Sequence, residues 1–342
     1  MKKKIALIFG VTGQDGSYLA EFLLKKNYII HGVKRRSSSE NTQRLDHIFD
    51  SLNFKNKNFF IHYGDVTDSA SVHNIINKVK PNEIYNLAAQ SHVKVSFDIP
   101  EYTANSTALG ALRILETLKS LNLKKTKYYQ ASSSEMFGKQ KTKKAQDENT
   151  PFHPMSIYGA SKVFAYHATI FYREAYGIFA TNGILFNHES PRRGPTFVTK
   201  KIIQGLIRIK QNKQSQLLLG NLYSVRDWGH AKDYVETMWK ILQYKKPEDW
   251  VIATNQETSV KGFINICAKK LNINLKWKNK GLREIGINDD TGKTIIKIDK
   301  KYYRAAEVDF LKGNFYKAKK LLKWKPKYKL NDLIDDMIKK EY

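Results

Sequence analysis

Two kinds of hydrophobic pattern alternate through the first half of the chain. Short apolar, β-branched or aromatic runs occupy residues 5–9, 29–33, 59–62, 83–87, 127–131 and 179–186. Between them lie longer stretches, 17–26, 69–79, 103–121 and 156–176, in which apolar side chains recur every three or four positions. The first kind belongs to strands buried on both faces, the second to amphipathic helices that cover them. Pro81 stops the helix at 69–79. The order predicts an α/β fold with a doubly wound parallel sheet. After Asn187 the pattern loosens into loops marked by Pro191, Gly194 and Pro195, with isolated helices at 198–210, 231–244 and 260–271. This predicts a Rossmann cofactor domain over residues 1–186. A smaller mixed α/β lobe is expected over 187–342, closing over the first domain mainly as its substrate side, with room for segments to return to that domain. No low-complexity linker divides the two, and no internal repeat is present.

The first strand runs into Gly10-Val-Thr12-Gly13-Gln14-Asp15-Gly16 at the start of a helix. Glycines there let the backbone approach a pyrophosphate, and the helix N-terminus points N–H groups at its charge. An NAD site carries an acid about 20 residues further on, at the end of the second strand. Here Lys34-Arg35-Arg36-Ser37-Ser38 stands in that place, which suits a 2′-phosphate and predicts NADP. Against this stands an exposed basic turn in a lysine-rich chain. Asp65, past the third strand, suits either the adenine amino group or the cap of the helix that follows.

Tyr158 and Lys162 are spaced i, i+4 on one helix face. In a chain with 19 Tyr and 59 Lys plus Arg such a pair arises by chance, so its neighbours decide. The fifth strand ends in Ala131-Ser-Ser-Ser-Glu-Met-Phe-Gly138, which brings Ser133 and Glu135 to the sheet's C-terminal edge, where ligands of open α/β sheets bind. A Lys ammonium one turn away lowers the pKa of a Tyr hydroxyl and makes it a usable base. The bland alternatives are a satisfied loop hydroxyl for Ser133 and a cap for Glu135.

Composition narrows the class. A chain of 342 residues, 41% hydrophobic, fills a sizeable core. Met-Lys-Lys-Lys before residues 5–9 imitates a secretory signal, but Gly10 ends the apolar run and leaves a buried strand as the reading. No stretch reaches the roughly 20 apolar residues of a membrane span, so no membrane partner is expected. Cys267 is the only cysteine, which excludes an internal disulfide and a Cys-based metal site and fits a reducing cytoplasm; no metal is expected. The net charge of +27 would attract any polyanion. Its lysines are scattered without a nucleic-acid motif. A solvated surface is the reading, with nucleic-acid binding as the rival from another class.

The whole chain resembles the GDP-mannose 4,6-dehydratases, extended members of the short-chain dehydrogenase/reductase superfamily. The motifs that carry this are GVTGQDGSYLAEFLL (10–24), RRSSS (35–39), YGDVTD (63–68), EIYNLAAQSHVKVSFD (83–98), YQASSSEMFG (129–138), YGASK (158–162), NGILFNHESPRRG (182–194), RDWGHAKDYVE (226–236) and EVDFLKG (307–313). The resemblance implies an internal redox cycle. Ser133 and Tyr158 would engage the sugar 4-hydroxyl while hydride passes from C4 to NADP. Glu135 would take the C5 proton and protonate the departing C6 hydroxyl, and the hydride would return to C6. A nucleotide-sugar 4-epimerase shares the fold, the Tyr and the Lys but generally lacks the carboxylate. The implied cofactor contacts are the loop from Gly10 to Gly16, Arg35, Arg36, Ser37, Asp65, Val66, Leu87, Ala88, Ala89, Gln90, Ser91, Tyr102, Lys162, His188 and Arg193. The implied GDP-sugar contacts are Asn187, Lys201, Arg226, Arg304 and Glu307. A homodimer or homotetramer is implied as well.

The chain departs from the family at Met155 and Ile157, where members commonly carry Arg and Pro immediately before the tyrosine. A related subgroup acts on GDP-D-glycero-D-manno-heptose, whose extra carbon needs room beyond C6, and Met is an adaptable wall. The sequence therefore points to GDP-heptose ahead of GDP-mannose.

Overall fold

The computed structural model describes residues 3–38, 41–48, 57–303 and 306–342. Its centre is a seven-stranded sheet with every pair parallel. Strands β1 (Ile5–Phe9), β2 (Ile29–Lys34), β3 (Phe59–Tyr63), β4 (Glu83–Asn86), β5 (Lys127–Ser133) and β6 (Ala180–Leu185) are joined by Asp249–Ile252 from the second half of the chain. The order is Asp249–Ile252, β6, β5, β4, β1, β2, β3, so the winding reverses between β1 and β4. A crevice forms at such a reversal, outside the strands' carboxyl ends.

The unbroken apolar run of β1 follows from this architecture. Ala6 and Ile8 face one layer, with Tyr18, Leu19 and Leu23 of the helix Gln14–Lys25 and Tyr234, Met238 and Ile241 of the helix Ala231–Gln243. Leu7 and Phe9 face the other, with Val72 and Ile76 of the helix Ser69–Val79 and Ile114, Leu115 and Leu118 of Gly110–Ser120. Alternate side chains of one strand thus enter two cores, and neither face can be polar.

The expected helix over 103–121 is not uniform. It begins at Pro100, passes through a π-helical turn at Asn105–Leu109 and continues as Gly110–Ser120. Arg113 donates to the backbone oxygens of Asn105 and Val66, taking up carbonyls at the irregular turn. β5 runs two residues past the expected end and carries Ser133 on the strand itself. Asp68, not Asp65, caps the helix Ser69–Val79, accepting from the N–H groups of Ala70 and Ser71.

A separate core gathers the helices Val198–Lys210, Val260–Lys270 and Leu330–Glu341 against a four-stranded sheet in the order Leu275–Lys278, Ile285–Asn288, Thr294–Ile298, Leu217–Leu219. Two short pairings link it to the main sheet's edge. Asn187–Glu189 lies parallel to Trp228–His230, and Val225–Arg226 antiparallel to Thr258–Ser259. No helix among the described residues is long and apolar enough to cross a membrane.

Candidate active site

The glycine loop is built for close backbone approach. Gly10 sits at φ +81°, and a Cβ there would stand 3.0 Å from the backbone of Leu87 and Ala88. A Cβ on Gly16 would stand 2.3 Å from the Gly10 carbonyl oxygen. Gly13 is the N-cap of the helix Gln14–Lys25 and no side chain caps it, so the first-turn N–H groups suit an anion. A dinucleotide pyrophosphate fits this cradle.

Asp15 would oppose an anion, and it is neutralised within the protein. Its Oδ2 lies 2.7 Å from His188 Nε2, while His188 Nδ1 lies 2.7 Å from the Phe186 carbonyl oxygen. With an acceptor beside each ring nitrogen, the surroundings favour the doubly protonated imidazole. Burial pulls the His188 pKa down, but the Asp15 carboxylate more than offsets this and the net shift is upward; Asp15 is held low.

Ser133, Glu135, Tyr158 and Lys162 converge on the adjacent wall. Ser133 ends β5 and its Oγ accepts from Glu135 N–H at 3.2 Å, starting the short 3₁₀ turn Ser134–Met136. The helix Ile157–Tyr176 is capped by Ser156, whose Oγ accepts from Gly159 N–H at 3.0 Å. The lack of a side chain at Gly159 lets this helix settle on the Glu135 turn, because a Cβ there would lie 2.8 Å from the Glu135 carbonyl oxygen. The Ser133 hydroxyl lies near that of Tyr158 and favours its ionised form. Lys162 Nζ donates to the Ala131 carbonyl at 2.6 Å and lies 5.8 Å from the Tyr158 ring centre.

The electrostatics of the pair differ from the sequence-based expectation. Burial pushes the Tyr158 hydroxyl up to about 12, against the lowering influence of the Ser133 hydrogen bond, and the Glu135 charge adds to the rise. Burial also brings Lys162 down to about 8, partly offset by Asp15. Desolvation outweighs the pairing inferred from the i, i+4 spacing, and the ammonium is directed at a backbone carbonyl.

One cavity of about 380 Å³ runs along this wall. Gly10, Gly13, Gln14, Asp15 and Gly16 line one end, continued by Leu87, Ala89, Ser91, His188 and Arg193. Ser133, Glu135, Tyr158 and Lys162 line the middle. Asn187, Lys201, Arg226 and Glu307 line it as well. Lys201 Nζ lies 3.4 Å from the Tyr302 ring centre, and its pKa is lowered to about 8, first by burial and then by Lys301 and Lys94.

The other candidates do not line this cavity. Arg35 donates to the Tyr102 hydroxyl at 2.5 Å, which joins two of them across 67 positions, and Arg36 lies over the Tyr63 ring beside Ser37. The Thr12 carbonyl accepts from Arg44, Asp65 accepts from Thr67 N–H, and Val66 packs on Gly110. Ala88 backs Gly10, and Gln90 donates to the Thr103 hydroxyl. Arg304 lies outside the described residues. Met155 packs against the cluster of Met136, Phe137 and Tyr166, and Ile157 is 42% exposed. Neither lines the cavity, so the expected sugar wall is not formed by these side chains. Sequence reasoning missed Arg44, which ties the Thr12 carbonyl to that of Arg192. It lies in a stretch without strand or helix periodicity.

A family model described as GDP-mannose 4,6 dehydratase matches residues 7–337. The GDP-mannose 4,6-dehydratase of Sinorhizobium fredii (strain HH103) is 49% identical over 340 residues, covering 99% of this chain and 97% of that protein. Among solved structures, a UDP-glucose 4-epimerase from Thermotoga maritima with UDP-glucose is similar in fold, at TM-score 0.81 and 21% identity over 98% of each chain. A dTDP-glucose 4,6-dehydratase from Bacillus anthracis in complex with NAD is similar at TM-score 0.79 and 20% identity, covering 98% of this chain and 96% of that one. At such identities the solved structures show a fold common to epimerases and dehydratases. The family is shown by the model that spans nearly the whole sequence and by a relative identical at about half its positions: the chain belongs to the GDP-mannose 4,6-dehydratase family.

Proposed function

We propose that the chain dehydrates a GDP-manno-configured sugar across C5 and C6 after oxidation at C4, giving the GDP-4-keto-6-deoxy sugar, with tightly held NADP. The observation that carries this reading is the buried carboxylate of Glu135 on the same cavity wall as Ser133, Tyr158 and Lys162. An epimerase, which reduces the carbon it oxidised, has no use for it. NADP, held by the glycine loop from Gly10 to Gly16, would supply the hydride chemistry of the cycle. Tyr158 and Ser133 line the same cavity and together orient the 4-hydroxyl, whose proton goes to the Tyr158 phenolate. With Tyr158 held near 12, it rests as the phenol, and its own proton must pass to solvent before the phenolate can take that of the 4-hydroxyl. Lys162, near 8, supplies positive charge beside it at neutral pH. Glu135 removes the C5 proton, which the 4-ketone has made acidic, and protonates the leaving C6 hydroxyl, so that water departs.

Arg35 and Arg36 support NADP over NAD, because they stand where an NAD site carries an acid. Lys201 and Arg226 suit the diphosphate, and Glu307 suits the guanine N1–H and amino group. Residues 1–186 carry most of the cofactor side and residues 187–342 most of the substrate side. Between the two sugars, the heptose is favoured by the Met155 and Ile157 departures. Since neither side chain lines the cavity, they would act through the position of Tyr158. The test is to offer GDP-mannose and GDP-D-glycero-D-manno-heptose with NADP and follow loss of one water by mass spectrometry. A pocket difference of one carbon corresponds to a ratio of kcat/KM of roughly 10–200. Equal or better use of GDP-mannose removes the heptose preference. Isomerised sugar without water loss from either moves the protein to the epimerases.

A further inference from the structure

Ser224 is 5% exposed, lines the cavity, and its Oγ has no hydrogen-bond partner among the described residues. A buried hydroxyl without a partner is costly and calls for an explanation. Its backbone is pinned from two sides. The Ser224 carbonyl accepts from Val260 N–H at 3.1 Å, at the start of the helix Val260–Lys270. The next residue, Val225, donates to the Asp309 carbonyl at 2.8 Å and accepts from Leu311 N–H at 3.1 Å. The first-turn donors of that helix are already taken, Lys261 N–H by the Leu222 carbonyl and Gly262 N–H by the Ser259 hydroxyl. The Ser224 hydroxyl is therefore held in place by bonds in which it takes no part itself.

The same cavity is lined by apolar Leu219 and Val260 and by the polar side chains of Asn221 and Glu307. Such a slot suits a flat heterocycle and its sugar, while the cations Arg226 and Lys201 suit the phosphates. We infer that the Ser224 hydroxyl is a hydrogen-bonding contact for the nucleoside part of the substrate, and that it contributes to holding the nucleotide without taking part in the chemical steps. This rests on the GDP-sugar reading above.

The experiment is calorimetric titration of GDP and, separately, NADPH into the unmodified chain, Ser224→Ala and Ser224→Val. Loss of one neutral hydrogen bond weakens GDP about 3–10-fold in Ser224→Ala. Ser224→Val sets methyl groups against the polar ligand and weakens GDP at least as much. NADPH affinity stays within about twofold in both, which also reports an intact fold, and with sugar substrate the loss falls on KM and leaves kcat. Titrating 2′-deoxy-GDP identifies the atom: if the contact is to the 2′-hydroxyl, Ser224→Ala does not distinguish it from GDP. GDP affinity within twofold of the unmodified chain in both variants overturns the inference, as does parallel weakening of NADPH. Absence of GDP binding by the unmodified chain removes the substrate reading instead, and the inference with it.

Discussion

Gly159 and Glu135 meet where a helix start rests on a strand-end turn, with no room for a methyl group between the Gly159 Cα and the Glu135 carbonyl oxygen. That contact fixes the distance between the two groups proposed to work at neighbouring carbons of one sugar ring, since Tyr158 precedes the glycine and Glu135 lies on the turn beneath it.

Gly159→Ala therefore displaces the helix start by a few tenths of an ångström or more, because the obstructing atoms are the Glu135 backbone and the Pro154 ring. Misplacement of this kind lowers kcat by roughly 10–10². Stability falls as well, because overpacking costs typically about 1–3 kcal/mol and the helix preference of alanine over glycine returns at most about 1 kcal/mol. Thermal melts and steady-state rates check both. A kcat within twofold of the original would show that the contact does not set catalytic geometry.

Glu135→Gln and Tyr158→Phe separate the proposed steps. The glutamine variant still reduces cofactor on mixing with substrate, seen as absorbance of the reduced nicotinamide, while product formation falls by about 10² or more. The phenylalanine variant suppresses both signals. Full dehydration by Glu135→Gln contradicts the role assigned to the carboxylate.

Lys162 links catalysis to stability. Its folded pKa of about 8 lies below the ordinary 10.5, so the unfolded chain binds more protons between these values and stability rises with pH across that window. The cost of burying the ammonium is fully present below pH 8. Lys162→Met should therefore inactivate the protein yet stabilise it at pH 7 by on the order of 2–3 kcal/mol, with the gain fading as pH approaches 10.5. Urea midpoints at the two pH values measure this. A variant less stable at pH 7 would mean that the bond to Ala131 outweighs desolvation.

Arg35→Asp removes a guanidinium from the end of β2 and sets a like charge against a 2′-phosphate. NADP binding should weaken by about 10² or more and NAD binding much less. Cofactor fluorescence titrations decide, and equal loss for both cofactors contradicts the NADP assignment.

The strands β1–β6 were legible because a strand buried on both faces has an apolar signature that few other elements share, and the glycine loop because its conformation demands glycine at Gly10 and Gly16. The pairing of Asn187–Glu189 with Trp228–His230 was not legible, since three residues carry no period and their partners are 41 positions away. The π turn at Asn105–Leu109 was hidden for another reason: a π turn shifts the helical face without changing which residues are apolar. At the site, residue types and local spacing singled out Ser133, Glu135, Tyr158 and Lys162, which the fold brings to one cavity. Their ionisation was not available from spacing, because it depends on how deeply the rest of the chain buries them. Ser224 was passed over because a lone serine has no pattern, and only its missing partner distinguishes it.

The seventh sheet strand, Asp249–Ile252, has a consequence for synthesis. Until it leaves the ribosome, β6 presents an open edge of unpaired N–H and C=O groups, and the core face of the helix Gln14–Lys25 lacks its cover, the helix Ala231–Gln243. More than sixty residues separate β6 from its outer neighbour, which at bacterial or eukaryotic elongation rates leaves that edge open for several seconds. Once the strand docks, its Val251 N–H is taken by the side chain of Glu148, which blunts the new edge. The nascent chain thus has an interval of vulnerability to edge pairing and aggregation that closes only when its second half is made.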